Sequence, residues 1–210
     1  MRRTLMLRHL LAVPLAAWLV GAGVARADDV PDGVLAALNR VRTDPVGFAA
    51  VLQQYRARMQ GKRFLKPGTT NVWIVTQEGT AAVDEAIAVL RATPPLPALS
   101  MNPELALAAL DQVAWQGPRG EVGHRGEGGS SPSERLVRHG VRPHMSGEDI
   151  DYGYGADGLQ AVIDLIVDDG VASRGHRRNI LNPNFRQVGI AIGPHRRYGT
   201  MCVIDLASAP

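Results

Sequence analysis

The closing part of the chain constrains its fold most strongly. Residues 188–193 (VGIAIG) and 200–206 (TMCVIDL) are apolar or alternate with small residues, and a polar stretch rich in glycine, proline and arginine separates them. Two such runs around a turn predict an antiparallel hairpin. The chain before them is mainly helical in pattern and lacks the strand–helix–strand rhythm of a parallel sheet. Helices first and a hairpin last favour an α+β fold or a layered sandwich.

The helical pattern divides into several segments. Residues 34–59 carry apolar side chains at helical spacing and are interrupted at Asp44-Pro45, which predicts two consecutive helices. Ser131 and Glu134 have the spacing of a capping box at the start of another helix. The region 60–80 otherwise has the composition of a loop. The remaining predictions are helices at 81–93, 102–116, 132–139 and 158–169 and extended segments at 71–75 and 145–153.

The first 27 residues predict a secretory signal peptide. They have a basic start, an apolar stretch over residues 10–24 and an A-x-A cleavage pattern ending at Ala27. A membrane anchor is the alternative, but the apolar run is shorter than the ~20 residues that span a bilayer. We therefore expect cleavage after Ala27, a secreted or periplasmic location, no transmembrane segment after signal removal, and one domain over residues 28–210.

Removal of this leader changes the charge of the chain. Four of the 23 basic residues lie in the leader and all 20 acidic residues follow it, which leaves a formal charge of −1. A nucleic acid is therefore not an expected partner. The one cysteine, Cys202, has no internal disulfide partner and lies in an apolar run, so we expect a buried structural thiol.

The tripeptide Gly-His-Arg occurs twice and places His124 and His176 after a glycine in loop-like sequence. Glycine gives the backbone the freedom to turn such a side chain into a cleft. A plain loop with an incidental histidine is the alternative. The other histidines of the exported part, His139, His144 and His195, lie beside arginines, prolines or turns and are expected at the surface.

Carboxylates occur near both histidines in the sequence. Glu148 and Asp149 are consecutive in an extended segment, so one is expected to face a cleft and its neighbour to face outward. Asp168 and Asp169 end a predicted helix, where negative charge is unfavourable unless a cation is near. A solvated helix end is the alternative. Two histidines and two carboxylates from separate segments suit a divalent ion or a histidine–carboxylate acid/base pair.

Motifs of other site classes are missing from the sequence. There is no HExxH, no pair of cysteines and no G-x-S-x-G nucleophile elbow. A zinc protease motif, a cysteine-ligated zinc site and a serine hydrolase of the elbow type are thus not predicted.

Five segments, in order, resemble the CAP superfamily, which is named for the cysteine-rich secretory proteins, antigen 5 and the pathogenesis-related proteins. The resemblance covers roughly residues 34–207 and implies a three-layer α-β-α sandwich with a small antiparallel sheet between helices. The segments are LNRVRTDPVGFA (38–49), GHRGEGGSSPSERL (123–136), SGEDIDYG (146–153), SRGHRRNILNPNFRQVGIAIG (173–193) and MCVIDLA (201–207).

The resemblance also implies a cleft lined by two histidines and two acids. Its members here are His124, Glu148 and His176, with Asp169 or else Asp168 as the fourth, because the helix before the second histidine carries that acid in the family. Asp149 stands where the family usually has asparagine, which adds a second carboxylate beside the site. Asp168 and Asp149 are thus additional candidates to the tetrad of His124, Glu148, Asp169 and His176.

The resemblance implies a binding function more strongly than a reaction. We expect an exported monomer whose two histidines, His124 and His176, hold a divalent cation such as zinc, with a small or lipid-like ligand or an envelope component nearby. A metal-assisted or acid/base hydrolase of the peptidase type and a cell-envelope interaction module are the alternatives. The sequence leaves the choice of ligand open.

Overall fold

The computed structural model describes residues 29–66, 69–153 and 157–209. The predicted signal peptide and its cleavage site lie outside these ranges. Within them, no helix is both long and apolar enough to cross a membrane.

Seven helices and seven strands form within the described ranges, together with a 3₁₀ turn at Glu127–Gly129. The helices are α1 (Asp29–Thr43), α2 (Pro45–Ala57), α3 (Thr80–Ala92), α4 (Pro103–Arg119), α5 (Pro132–Arg138), α6 (Gly158–Val167) and α7 (Gly175–Ile180). The strands are β1 (Met59–Gln60), β2 (Arg63–Leu65), β3 (Trp73–Val75), β4 (Ser100–Met101), β5 (Ser146–Tyr152), β6 (Phe185–His195) and β7 (Gly199–Ser208).

The main sheet has the strand order β4-β6-β7-β5. Strands β6 and β7 form the predicted hairpin, paired antiparallel from Phe185 opposite Ser208 to His195 opposite Gly199. Strand β5 pairs antiparallel with β7 and lies at one edge of the sheet. The sequence predicted an antiparallel sheet. The structure differs at the other edge, where β4 pairs parallel with β6.

Side-chain size in β6 explains why helices cover both faces of the sheet. Val188, Ile190 and the core side chains of α1 and α6 belong to one apolar cluster. The alternate residues are small and face α4. A Cβ atom on Gly189 would lie 2.1 Å from the carbonyl carbon of Leu105, so α4 approaches this closely only because glycine is there. The result is the predicted α-β-α sandwich, with Cys202 buried in its core.

Local capping signals set the helix ends. The Asp44 carboxylate accepts a hydrogen bond from the Gly47 amide at 2.8 Å, and this separates α1 from α2 as predicted. The capping box at Ser131 and Glu134 is also formed.

A second, three-stranded antiparallel sheet occupies the region predicted as a loop. The strand predicted at 71–75 is confirmed as β3, and β1 and β2 precede it in the order β1-β2-β3. Phe64 of β2 is buried and stacks on Tyr55 of α2 with ring centroids 4.2 Å apart. This aromatic contact anchors the small sheet on the main core.

Candidate functional site

The first histidine–carboxylate pair joins His124 to Glu148. The imidazole Nδ1 lies 2.8 Å from Glu148 Oε1. The side chain of His124 is 49% exposed, whereas that of Glu148 is 1% exposed. A carboxylate beside Nδ1 favours the tautomer that is protonated there, so Nε2 is left with its lone pair. The first pair therefore presents an oriented acceptor nitrogen to solvent.

A buried arginine completes the first pair. Arg135 donates from Nη2 to Glu148 Oε2, and from Nη1 to the carbonyl oxygens of His124 at 3.2 Å and Ser130 at 3.1 Å. The guanidinium is fully buried. It neutralises the charge of Glu148 and ties the histidine loop to the same carboxylate.

Helix α4 and the end of β5 hold the loop ahead of His124. The Gly123 carbonyl accepts from Gln112 Nε2 at 3.0 Å and Gln116 Nε2 at 2.7 Å, and the Gly123 amide donates to Tyr152 Oη at 2.9 Å. The Tyr152 hydroxyl in turn donates to Gln116 Oε1 at 2.7 Å. Burial raises the pKa of Tyr152 to about 12, so this donor stays protonated.

The second histidine–carboxylate pair joins His176 to Asp168. Nδ1 of His176 lies 2.7 Å from Asp168 Oδ1, and the side chains are 23% and 1% exposed. Asp168 Oδ2 accepts from the amides of His176 at 3.0 Å and Arg177 at 3.4 Å. The expectation that His176 lies on a loop is wrong, because Asp168 binds the first amides of α7 and His176 is in its first turn.

Asp169, the acid first assigned to the cleft, lies elsewhere. Its carboxylate accepts from the amides of Gln77 at 2.6 Å and Glu78 at 2.8 Å, in the turn before α3. Asp168 ends α6 with a left-handed φ of 56°, and this turn sends two consecutive carboxylates in different directions. The carboxylate beside His176 is therefore Asp168.

Asp149 is a buried carboxyl next to the second pair. Its Oδ1 accepts from Asn179 Nδ2 at 2.7 Å, and its Oδ2 has no hydrogen-bond partner within the described ranges. Burial raises the pKa of Asp149 to about 7, against the opposing charges of His176 and His124. The expectation that one of Glu148 and Asp149 faces outward is wrong, because helices cover both faces of the sheet and both residues are buried.

The same environment changes the pKa of His176. Burial lowers it, but the hydrogen bond to Asp168 and the charges of Asp149 and Asp168 outweigh that effect, so the pKa is raised above its ordinary value of 6.5. The pKa of His176 and the pKa of Asp149 are therefore both raised above their ordinary values.

The two pairs lie on either side of strand β5. Glu148 contacts α5 and the His124 loop, whereas the next residue, Asp149, contacts α7. Asp149 interacts electrostatically with both histidines, which places both pairs around one stretch of this edge strand. Within the described part of the chain, no group of three or more His, Cys, Asp or Glu side chains is arranged to hold a metal ion.

Sequence reasoning missed Arg135 and Asp205. Asp205 of β7 lies directly opposite Glu148 of β5, is fully buried, and has no hydrogen-bond partner for either carboxyl oxygen among the described residues. Burial and then the charge of Glu148 raise its pKa well above the ordinary range. The sequence signal that could have identified Asp205 is its position as the one charged residue in the apolar run 201–207.

His195 was expected at the surface, and the structure shows that it is buried. Its Nε2 donates to the Glu121 carbonyl at 2.8 Å, and its Nδ1 accepts from the amides of Arg197 and Tyr198 at 3.3 and 3.2 Å. These bonds close the β6–β7 turn and link it to the chain ahead of His124. His195 therefore has a structural role.

Solved bacterial structures resemble parts of the chain at low identity. An extracellular protein containing an SCP domain from Bacillus anthracis str. Ames is 22% identical, with 59% of this chain and 37% of that chain covered and a TM-score of 0.47. An outer surface protein from Borrelia burgdorferi is 15% identical, with 55% and 80% covered and a TM-score of 0.46. The CAP domain of Enterococcal PrgA is 12% identical, with 64% and 58% covered and a TM-score of 0.38.

The chain thus corresponds to little more than a third of the Bacillus anthracis protein. No curated protein matches it. The sequence pattern of the cysteine-rich secretory protein family matches residues 85–206, which include both histidine–carboxylate pairs and the main-sheet strands β4 to β7. Since this match covers more than half of the sequence, the chain belongs to the cysteine-rich secretory protein (CAP) family.

Proposed function

We propose that this CAP protein is exported and binds a divalent cation such as zinc, in exchangeable form, through the Nε2 atoms of His124 and His176. The observation that carries the proposal is the contact that the two rings share, a carboxylate on Nδ1 of each. Metal-ligating histidines commonly donate their other N–H to a carboxylate, which fixes the ring and increases its basicity.

The donor set fits a weakly held cation better than a structural one. Imidazole nitrogen is a favoured ligand of zinc, and a structural zinc site has four protein ligands. Two histidines supply only two, so solvent or a ligand would fill the remaining positions. A bound zinc ion would act there as a Lewis acid toward an oxygen of that ligand.

A cavity beside β5 is the place we propose for a small or lipid-like ligand. It has a volume of about 230 Å³ and lies between the small sheet and the main core. Its walls include Tyr55, Phe64 and Val83, and Asp151 of β5 lines it as well. Val83→Phe should fill it and abolish binding of a fatty-acid probe while cation uptake is unchanged. Equal probe binding by the wild type and Val83→Phe would show that the ligand does not bind in this cavity.

Calorimetric titration with zinc tests the cation site. The wild-type protein should take up one equivalent, and His124→Ala or His176→Ala should each reduce the affinity at least tenfold. The double variant should show no specific uptake. Uptake by the double variant equal to that of the wild type would overturn the proposal.

Two adjacent aspartates supply a matched pair of variants. Asp168→Asn should weaken zinc binding roughly 10- to 100-fold, because His176 loses the carboxylate that orients it. Asp169→Asn makes the same charge change one residue away, but that carboxylate binds the turn before α3 and should leave the affinity unchanged. Equal losses in both variants would mean that net charge, not ring orientation, sets the affinity.

A hydrolase is the second candidate. It is favoured by the interaction of His176 with Asp149, whose pKa is about 7, since a carboxyl group that titrates near neutrality can pass protons during a reaction. Glu148 or a histidine would activate water. Cleavage of a peptide or ester panel, lost in Glu148→Gln, would support this candidate, and purified protein without turnover on the panel would remove it.

A further inference from the structure

The region before α3 has an unusual charge distribution. Residues 45–77 contain five basic residues and no acidic one, although the exported part of the chain has a formal charge of −1. Both lysines of the chain are among them. The region lies outside the part that matches the CAP family pattern, residues 85–206. The five basic residues are Arg56, Arg58, Lys62, Arg63 and Lys66.

The small sheet exposes apolar side chains beside these cations. Because side chains alternate along a strand, the face opposite buried Phe64 carries Arg63 and Leu65 of β2 and their pairing partners Val75 and Trp73 of β3. Val75 is 75% exposed. We call Lys62, Arg63, Lys66, Trp73 and Val75 the basic face.

The cations of this region are available to a partner. Arg56 pairs with Asp84, but within the described ranges Arg58, Lys62, Arg63 and Lys66 form no ion pair. The Arg63 guanidinium lies 5.3 Å from the centre of the Trp73 ring, so cation and aromatic ring are presented together. A surface whose cations are not paired with acids has charge complementarity to an anionic partner.

We propose that the basic face docks the protein on an anionic lipid surface. Lysine and arginine attract the phosphate groups of such a surface, and an aromatic ring beside an exposed aliphatic side chain suits the boundary between headgroups and acyl chains. A nucleic acid would use the cations but gains little from an exposed valine. The inference is independent of the cation site, since it rests on the small sheet alone.

Co-sedimentation with vesicles tests the charge. The processed protein should bind vesicles of phosphatidylglycerol and phosphatidylcholine and not those of phosphatidylcholine alone, and added salt should weaken binding. K62Q/R63Q/K66Q should bind about 100-fold more weakly, at roughly fivefold per cation. R142Q/R196Q/R197Q removes three exposed arginines elsewhere and should bind like the wild type. Equal losses in both triple variants would overturn the inference.

Trp73 fluorescence tests whether the face reaches the lipid. Trp73 and Trp115 are the tryptophans of the predicted processed chain, so Trp115→Phe leaves Trp73 as the reporter. Its emission should shift to shorter wavelength with anionic vesicles, and Val75→Ser should reduce the shift. An unshifted emission, with binding to single-stranded DNA that K62Q/R63Q/K66Q abolishes, would assign the face to a polyanion instead. Zinc affinity should be unchanged in these variants, which keeps this test separate from that of the cation site.

Discussion

The two histidine–carboxylate pairs share one contact and differ in how the carboxylate is compensated. Glu148 of the first pair binds the buried guanidinium of Arg135. Among the described residues, the Asp168 carboxylate of the second pair binds backbone amides and its histidine but no arginine or lysine, beside the buried carboxyl of Asp149. The comparison shows that one geometry at Nδ1 can be built in two ways. In the first pair the guanidinium of Arg135 balances the charge of Glu148. In the second pair the net charge depends on the protonation of His176 and Asp149.

Removal of Arg135 should give the largest effect. Arg135→Met leaves Glu148 buried without its cation, and loss of one partner of a buried ion pair costs about 3–5 kcal/mol. Urea denaturation should show this loss in the free energy of unfolding. Arg138→Met, on the same short helix, removes a half-exposed arginine and should cost less than about 1 kcal/mol. A loss below about 1 kcal/mol for Arg135→Met would show that Glu148 does not need the guanidinium.

The second pair should respond to pH through Asp149. Its pKa in the folded protein, about 7, is above the ordinary value of 3.8, so the folded state holds a proton that the unfolded chain has released. Wild-type stability should therefore fall as the pH rises from about 4 to 7. Asp149→Asn removes this penalty and should stabilise the protein by roughly 2–4 kcal/mol at pH 8, because each pKa unit corresponds to 1.36 kcal/mol.

At pH 3.5 the wild-type protein and Asp149→Asn should differ little in stability. Chemical denaturation at the two pH values measures the difference. A variant that is destabilised at pH 8 would mean that the ionised carboxylate of Asp149 is required by the fold.

The glycines before the two histidines should also differ. Gly123 has a φ of 100°, so Gly123→Ala forces a side chain into left-handed backbone and should cost about 1–2 kcal/mol. At the second copy Arg174 adopts the left-handed conformation, and Gly175 begins α7. Gly175→Ala should therefore change stability by less than about 0.5 kcal/mol, as measured by thermal denaturation. Equal costs would contradict this difference between the two tripeptides.

The smallest expected effect is on the pKa of His176. The charge of Asp149 raises that pKa, so Asp149→Asn should lower it in an NMR titration of the imidazole. Asp111→Asn, which acts beside His139, is the control and should leave His176 unchanged. An unchanged His176 titration in Asp149→Asn would show that Asp149 does not affect the second pair.

Local patterns predicted the fold better than the site. The β6–β7 hairpin and the break at Asp44 follow from short stretches of sequence, and both are present. The choice between Asp168 and Asp169 depends on one left-handed residue, which the helical pattern does not reveal. The short helix itself does not reveal that Arg135 is buried, because the strand that carries its partner Glu148 follows later in the chain.

The central claim is that two pairs on opposite sides of β5 act as one site. Nitrogen-15 NMR of the histidine rings during zinc titration tests it most directly. The account predicts that the Nε2 signals of His124 and His176 change together at one equivalent of zinc, while both Nδ1 atoms keep their protons. A change confined to one histidine, metal loading on Nδ1, or no change in either ring would contradict it.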